Sequence, residues 1–190
     1  MAGGRDTVTV MRALVVGRFQ PFHKGHLQAV EEVLSKCDEL IIVIGSAEES
    51  HTWNNPLTAS ERYQMILSSL PRKEHKRLHI IPVRDINRYA IWVNHIESYV
   101  PSFDAVFSNS SITRSLFSQV GYDVRKTKAY NHKLYNGSEI RKRIAEGGRW
   151  KHLVPAPVSL MVDELDIRGR LRAAEGKAAN GVTRRSRVRK

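Results

Sequence analysis

The sequence predicts an α/β fold, a parallel sheet of about five strands with helices on both faces. Short runs rich in apolar and branched residues recur along the chain. Stretches with helical spacing of their apolar residues separate most of them, and glycines or prolines mark the joints. Strands alternating with helices of roughly 10–15 residues favour parallel pairing, because a crossover helix returns the chain to run in the same direction.

Each element follows from local pattern. "ALVVG" (13–17) is a short buried strand, and Leu27, Val30 and Leu34 then recur at helical spacing, giving a helix over about 24–36. "LIIVIG" (40–45) is a branched-residue strand stopped by glycine. Thr58 stands three residues before Glu61, a capping-box pattern that opens a helix over 58–70. "LHIIPV" (78–83) is the third strand, and 90–100 is a helix ended by Pro101. "DAVFS" (104–108) is the fourth strand, 111–121 a helix with a glycine stop, and "YDVRKT" (122–127) a short fifth strand. "NGSEIRKRIAEGG" (136–148) opens with helix-starting residues, closes on two glycines, and buries Ile140 and Ile144. A final helix is predicted over 155–171.

The 190 residues suffice for one domain with a sizeable core, predicted over 11–171. Residues 1–10 read as a disordered extension. The net charge is +12, and from Asp166 to Lys190 there are nine Lys/Arg against two Asp/Glu, a balance of +7. Residues 172–190 therefore read as a basic, disordered tail with too few large apolar residues to fold alone. Such a tail solubilises or binds polyanions loosely, which keeps a nucleic-acid-binding protein as the alternative of another class. On this reading, removing the chain after Asp166 leaves catalysis nearly intact. No stretch approaches the roughly 20 apolar residues of a membrane span, the N-terminus lacks the apolar segment of a signal peptide, and Cys37 has no partner for a disulfide. A cytoplasmic protein is expected.

In a parallel sheet of this kind ligands bind beyond the carboxyl ends of the strands. That places the loops after residues 17, 45 and 83 around one crevice. The first of them reads "GRFQPFHKGH" (17–26). Gly17 permits a tight turn or a close approach, His23 and His26 share a face at the start of a helix, and Gly25 between them leaves room for a ligand. Free N–H groups and partial positive charge at a helix start, with two imidazoles, suit a phosphate. The same histidines could instead serve as helix caps, or ligate a metal, although zinc needs three or four ligands and no others are at hand. The glycine patterns of dinucleotide-binding and Walker A loops are absent.

"GRFQPFHKGH" resembles the H-x-G-H signature of the nucleotidylyltransferase superfamily, and "YNGSEIR" (135–141) resembles its second signature, in the right order and at the right separation. "GSAEESHTWNNPLTASER" (45–62) and "RDINRYAIWVNHI" (84–96) are similar to segments of the archaeal-type nicotinamide-nucleotide adenylyltransferases. The similarity runs from about residue 11 to about 166.

The resemblance implies a Rossmann-like sheet and an enzyme that joins nicotinamide mononucleotide to ATP, giving NAD and pyrophosphate without a covalent intermediate. Other members of the superfamily use FMN, phosphopantetheine or glycerol phosphate as acceptor. By resemblance, His23, His26, Arg18, Ser138 and Arg141 carry the reaction. Gly17, Phe19 and Gly137 complete the ATP site, and Trp92, Asp85 and Ser46 take the mononucleotide. Trp92 would stack on the nicotinamide ring, or else be a core tryptophan of an amphipathic helix. Mg²⁺ would be held mainly by the ATP phosphates, with no protein metal site, and a hexamer is expected. Two positions depart from the pattern. Asn136 stands where the second signature usually has serine, and Asn54 stands where some relatives have arginine.

Overall fold

The computed structural model describes residues 10–128, 131 and 134–176. Five parallel strands form one sheet in the order β3-β2-β1-β4-β5. They are β1 (Arg12–Gly17), β2 (Glu39–Ile44), β3 (Leu78–Pro82), β4 (Ala105–Phe107) and β5 (Asp123–Arg125). The helices are α1 (Lys24–Leu34), α2 (Ala59–Ser68), α3 (Trp92–Glu97), α4 (Ser111–Gln119), α5 (Gly137–Glu146) and α6 (Ala156–Glu164). Short 3₁₀ turns at Arg72–Arg77, Tyr89–Ile91 and Lys151–Leu153 carry too little periodicity to be read from the sequence.

Side-chain alternation along the strands sorts the core into two layers. Ala13, Leu40, Ile42, Ile44 and Phe107 face one side and pack with apolar residues of α1, α2, α5 and α6. Leu14, Ile41, Val43 and Val106 face the other and pack with Val93 and Ile96 of α3 and Phe117 of α4. β2 is buried on both faces, which is why "LIIVI" is apolar without alternation.

β1 lies at the centre, paired with β2 on one side and β4 on the other. After β1 the chain turns to one face and reaches β2; after β3 it crosses the other face and reaches β4. The connections leaving β1 and β4 thus diverge, and the crevice lies there.

The predicted final helix is interrupted. Asp166 takes a left-handed conformation at φ 45°, its carboxylate accepts the Gly169 N–H at 3.0 Å, and residues 167–176 form a separate terminal helix. Residues 172–176, which composition assigned to the tail, continue that helix. It is no appendage: Ile167 and Leu171 are buried in the main core. Arg170 clasps the Glu61 carboxylate of α2 through both terminal nitrogens, at 2.8 and 2.9 Å. The expectation that catalysis survives removal of the chain after Asp166 meets a structural cost, because that removal takes away two core residues and the Arg170 clasp on α2. Residues 1–9 and 177–190, including most of the predicted extension and tail, lie outside the described residues. Among the described residues no helix is long and apolar enough to cross a membrane.

Candidate active site

His23 caps α1. Its Nδ1 accepts the main-chain N–H of His26 at 3.2 Å, while Nδ1 of His26 accepts the N–H of His23 at 3.3 Å. The rings stack 3.5 Å apart at 14°. Each Nδ1 takes a hydrogen from the backbone, so the neutral rings carry their own proton on Nε2. The capping reading and the phosphate reading of these histidines are compatible: the cap uses Nδ1 and fixes the orientation of both rings. Phe19 meets His26 edge-on at 5.0 Å. Phe19 is buried, left-handed at φ 52°, and folded back over Gly17, where an added Cβ would fall 2.7 Å from the phenyl ring.

The second signature lies directly against the first. Asn136 caps α5 by accepting the Ser138 N–H at 2.9 Å, so asparagine does fill the capping place of the usual serine. A Cβ on Gly25 would meet Tyr135 at 2.8 Å, and one on Gly137 would meet the Gln20 carbonyl at 3.1 Å. Arg141 is buried, not open in the crevice. Nε donates to the Trp53 carbonyl at 2.9 Å and Nη1 to the Gln20 carbonyl at 2.8 Å. Nη2 donates to the Ser138 hydroxyl at 3.1 Å and reaches Asn54 Oδ1 at 3.5 Å. Burial, then the nearby charge of Arg18, pushes the guanidinium down to about 10, so it remains a cation at neutral pH.

Two cavities flank residues 17–19. One, of about 240 Å³, lies between the ends of β1 and β4 and is lined by Gly17, Phe19, His23, Gly25, His26 and Ser108 among others. The other, of about 730 Å³, is lined by Arg18, Ser46, Glu49, Trp53, Asn54 and Asp85 among others. The loop thus presents Gly17 and Phe19 to one cavity and Arg18 to the other. Ser46 and Asp85 come together as the sequence predicts; the Asp85 N–H donates to the Glu48 carboxylate at 3.0 Å, tying the second crevice loop to the third. Trp92 does not line either cavity. It is half-buried and edge-on to Phe117 at 5.7 Å. A further cavity of about 590 Å³, beside the carboxyl end of α5, lies away from the strand ends. Its charges are of both signs, and Lys151 is paired with Asp163 there.

A cytidylyltransferase-like family model matches residues 14–143. The nicotinamide-nucleotide adenylyltransferase of Methanococcus aeolicus is 47% identical over 162 residues, covering 85% of this chain and 94% of that protein. This chain belongs to the nicotinamide-nucleotide adenylyltransferases. The Archaeoglobus fulgidus protein of that name is 45% identical over 172 residues and is covered over 99% of its length. In structure, a bifunctional NMN adenylyltransferase/ADP ribose pyrophosphatase from Francisella tularensis superposes with a TM-score of 0.75 at 21% identity. That match covers 95% of this chain but only 57% of the bifunctional one, and it speaks for the fold alone.

In this member of the family, three supports of the crevice escaped the sequence reading. Gln20 is buried and pairs its amide with both main-chain groups of Leu57, at 2.9 and 3.0 Å. The terminal helix brings Ala174 to the rim of the larger cavity. Arg62 is fully buried on α2. It sits three and four residues before the buried Met65 and Ile66, so an arginine on the apolar stripe of a helix was a signal the pattern did contain.

Proposed function

We propose that this chain transfers the adenylyl group of ATP to the 5′-phosphate of nicotinamide mononucleotide, giving NAD and pyrophosphate. The observation that carries the reading is the capped start of α1. There the two stacked histidines stand beyond the carboxyl end of β1, against the second signature, and line the smaller of the two cavities. An oxygen of the mononucleotide phosphate attacks the α-phosphorus of ATP, and the bond from that phosphorus to the pyrophosphate oxygen breaks. The attacking group is already an anion, so no proton need be removed, and the protein acts by positioning and by stabilising charge.

In this reading His23 and His26 donate through Nε2–H to the phosphates, and Gly17 and Phe19 shape the nucleotide cavity. Arg18 reaches across the dividing loop. Ser138 and Gly137 line the approach to the leaving pyrophosphate, with Arg141 fastening that side to the first signature. Asp85 and Ser46 serve the acceptor in the larger cavity, and Trp92, which lines neither cavity as the protein stands, is the ring that the nicotinamide would stack on. ATP enters as its magnesium salt: the residues at the first cavity are hydrogen-bond donors and cations, suited to phosphate oxygens and not to the ion itself. The proposal places the enzyme in the cytoplasm as a hexamer, with exposed Tyr89, Ile91 and Tyr99 available to subunit contacts.

The test is turnover of purified protein with Mg-ATP and a panel of acceptors: nicotinamide mononucleotide, its nicotinate analogue, FMN, phosphopantetheine and glycerol phosphate. NAD formation with the first is expected. Product from FMN with none from the mononucleotide would sink the assignment. Light scattering checks the hexamer.

A further inference from the structure

Arg62 has no exposed surface, yet its guanidinium bonds to no carboxylate. Nε donates to the Thr58 carbonyl of its own helix at 3.1 Å. Nη1 donates to the carbonyls of Arg18 at 3.0 Å and Gly45 at 2.8 Å, and Nη2 to that of Ser46 at 3.1 Å. Three acceptors thus come from the two loops that divide and border the cavities. The four main-chain acceptors satisfy the buried guanidinium, and three of them belong to loops that form the crevice and not to the helix that carries it. The group remains charged: burial pushes it down to about 10, Glu48 and Glu49 pull it up, and Arg18 pushes it down.

Peptide planarity gives these bonds a second consequence. In a trans peptide the N–H points opposite to the C=O. With the Arg18 carbonyl drawn toward Arg62, the N–H of Phe19 is aimed away from it. With the Gly45 carbonyl drawn the same way, the N–H of Ser46 is aimed away too. Phe19 and Ser46 are both left-handed, at φ 52° and 47°. Successive peptides turned through such conformations form concave anion-binding nests of N–H groups. Neither residue is a glycine, so both conformations carry strain that something must hold.

We propose that Arg62 is a positioning residue for adenylyl transfer: it draws the carbonyls of the two crevice loops into the protein, which sets their spacing and turns the N–H groups of Phe19 and Ser46 outward, Phe19 at the smaller cavity and Ser46 at the larger, where each can meet a substrate phosphate. This rests on the functional reading above for the identity of the reaction, while the phosphate cradle itself does not depend on which acceptor is used. A lysine cannot replace the fork, because one ammonium cannot span acceptors on two loops with fixed planar geometry.

The experiment compares full-length wild type with Arg62→Met and Arg62→Lys. Calorimetric melting, kcat and the KM for each substrate are measured. Both variants are expected to lose turnover, Met about 10²-fold and Lys about 10-fold, the scale of losing a preorganised donor set, with each KM changed less than about threefold. The melting temperature of the Met variant should fall, because the carbonyls that Arg62 holds lose their donor, so the fold-change in turnover is read at a temperature where both proteins are folded. Full turnover in a Met variant of lowered melting temperature would reduce Arg62 to a structural role and overturn the proposal. Full turnover with Lys would show that charge suffices, and would overturn it equally.

A measurement on wild type stands even if a variant fails to fold. Titrated with inorganic pyrophosphate, the ¹⁵N-labelled protein should show the Phe19 and Ser46 amide resonances among the most displaced. Stationary resonances at both would overturn the cradle. If wild type makes no NAD but these amides move, the functional reading falls and the cradle stands.

Discussion

The two sides of the crevice are built differently. On the side formed by residues 17–26 and 135–141, Phe19, His23 and Arg141 are buried, and His23 Nδ1 and Arg141 Nε and Nη1 are bonded to main chain. On the side formed by the loops after β2 and β3, His51, Thr52 and Asn54 are exposed. There the shape is set by left-handed residues, Ser46, His51 and Asn87, and by bonds such as that from the Asp85 N–H to Glu48. The first side is rigid because its residues are core and site at once. The second is a polar rim held from below, by Arg62, and from the side, by the terminal helix. This division suits an enzyme whose phosphate chemistry demands fixed donors while its acceptor must enter and leave.

Four experiments press on that contrast. The largest effect should come from ending the chain after Asp166. This removes buried Ile167 and Leu171 and the Arg170 clasp on Glu61, at about 4 kcal/mol or more of stability, given the usual cost of losing a large core side chain. A chain ended after Gly176 keeps all of these contacts and should melt like wild type; equal melting of the two truncations would show that the terminal helix supports nothing. Next is His26→Ala, which should cut turnover by about 10². It should act on kcat more than on either KM, if the first side is preorganised for the transition state; steady-state kinetics decide this.

Trp92→Ala should raise the KM for the mononucleotide about fivefold, a stacking contribution near 1 kcal/mol, and change that for ATP less. Equal change in both would remove Trp92 from the acceptor side and leave it as a partner of Phe117.

The smallest effect is a dependence on pH. Burial pushes the Glu61 carboxyl up, but the hydrogen bonds from Arg170 and from the Thr58 N–H, with the charge of Arg170, hold it below its ordinary value. A carboxyl depressed in the folded state stabilises the fold above its unfolded value of 4.5 and loses that contribution as pH falls through the folded value. Glu61→Gln keeps the capping geometry and should cost about 1 kcal/mol at pH 7. As pH falls through the lowered folded value of Glu61, the variant and wild type should converge in urea melts. A gap that persists in acid would show that Arg170 acts by packing and not by charge.

Local pattern made much of this legible. Thr58 and Glu61 form the capping box that their spacing predicts, and Gly147 ends α5 in the left-handed conformation that two glycines imply. "GRFQPFHKGH" and "YNGSEIR" are each legible as a strand- or helix-end motif, and the fold brings the two together. What escaped was long-range. The predicted helix over 90–100 shrinks to α3 and a 3₁₀ turn. The final helix breaks at Asp166, where nothing in the apolar spacing marks a stop. The tail boundary, drawn after Leu171 from charge and composition, left out residues 172–176, which continue the terminal helix.

The amino-acid sequence by itself determined the alternation of strands and helices, the helix starts, and the residue types at the starts of α1 and α5, because these depend on neighbours a few positions apart. Only the tertiary structure decided what a buried arginine is for. Arg62 reaches carbonyls 16, 17 and 44 residues away, and Arg141 reaches one 121 residues away. Main-chain carbonyls are the same at every position of the chain, so no side-chain pattern can say which of them a guanidinium will hold until the fold has brought them together.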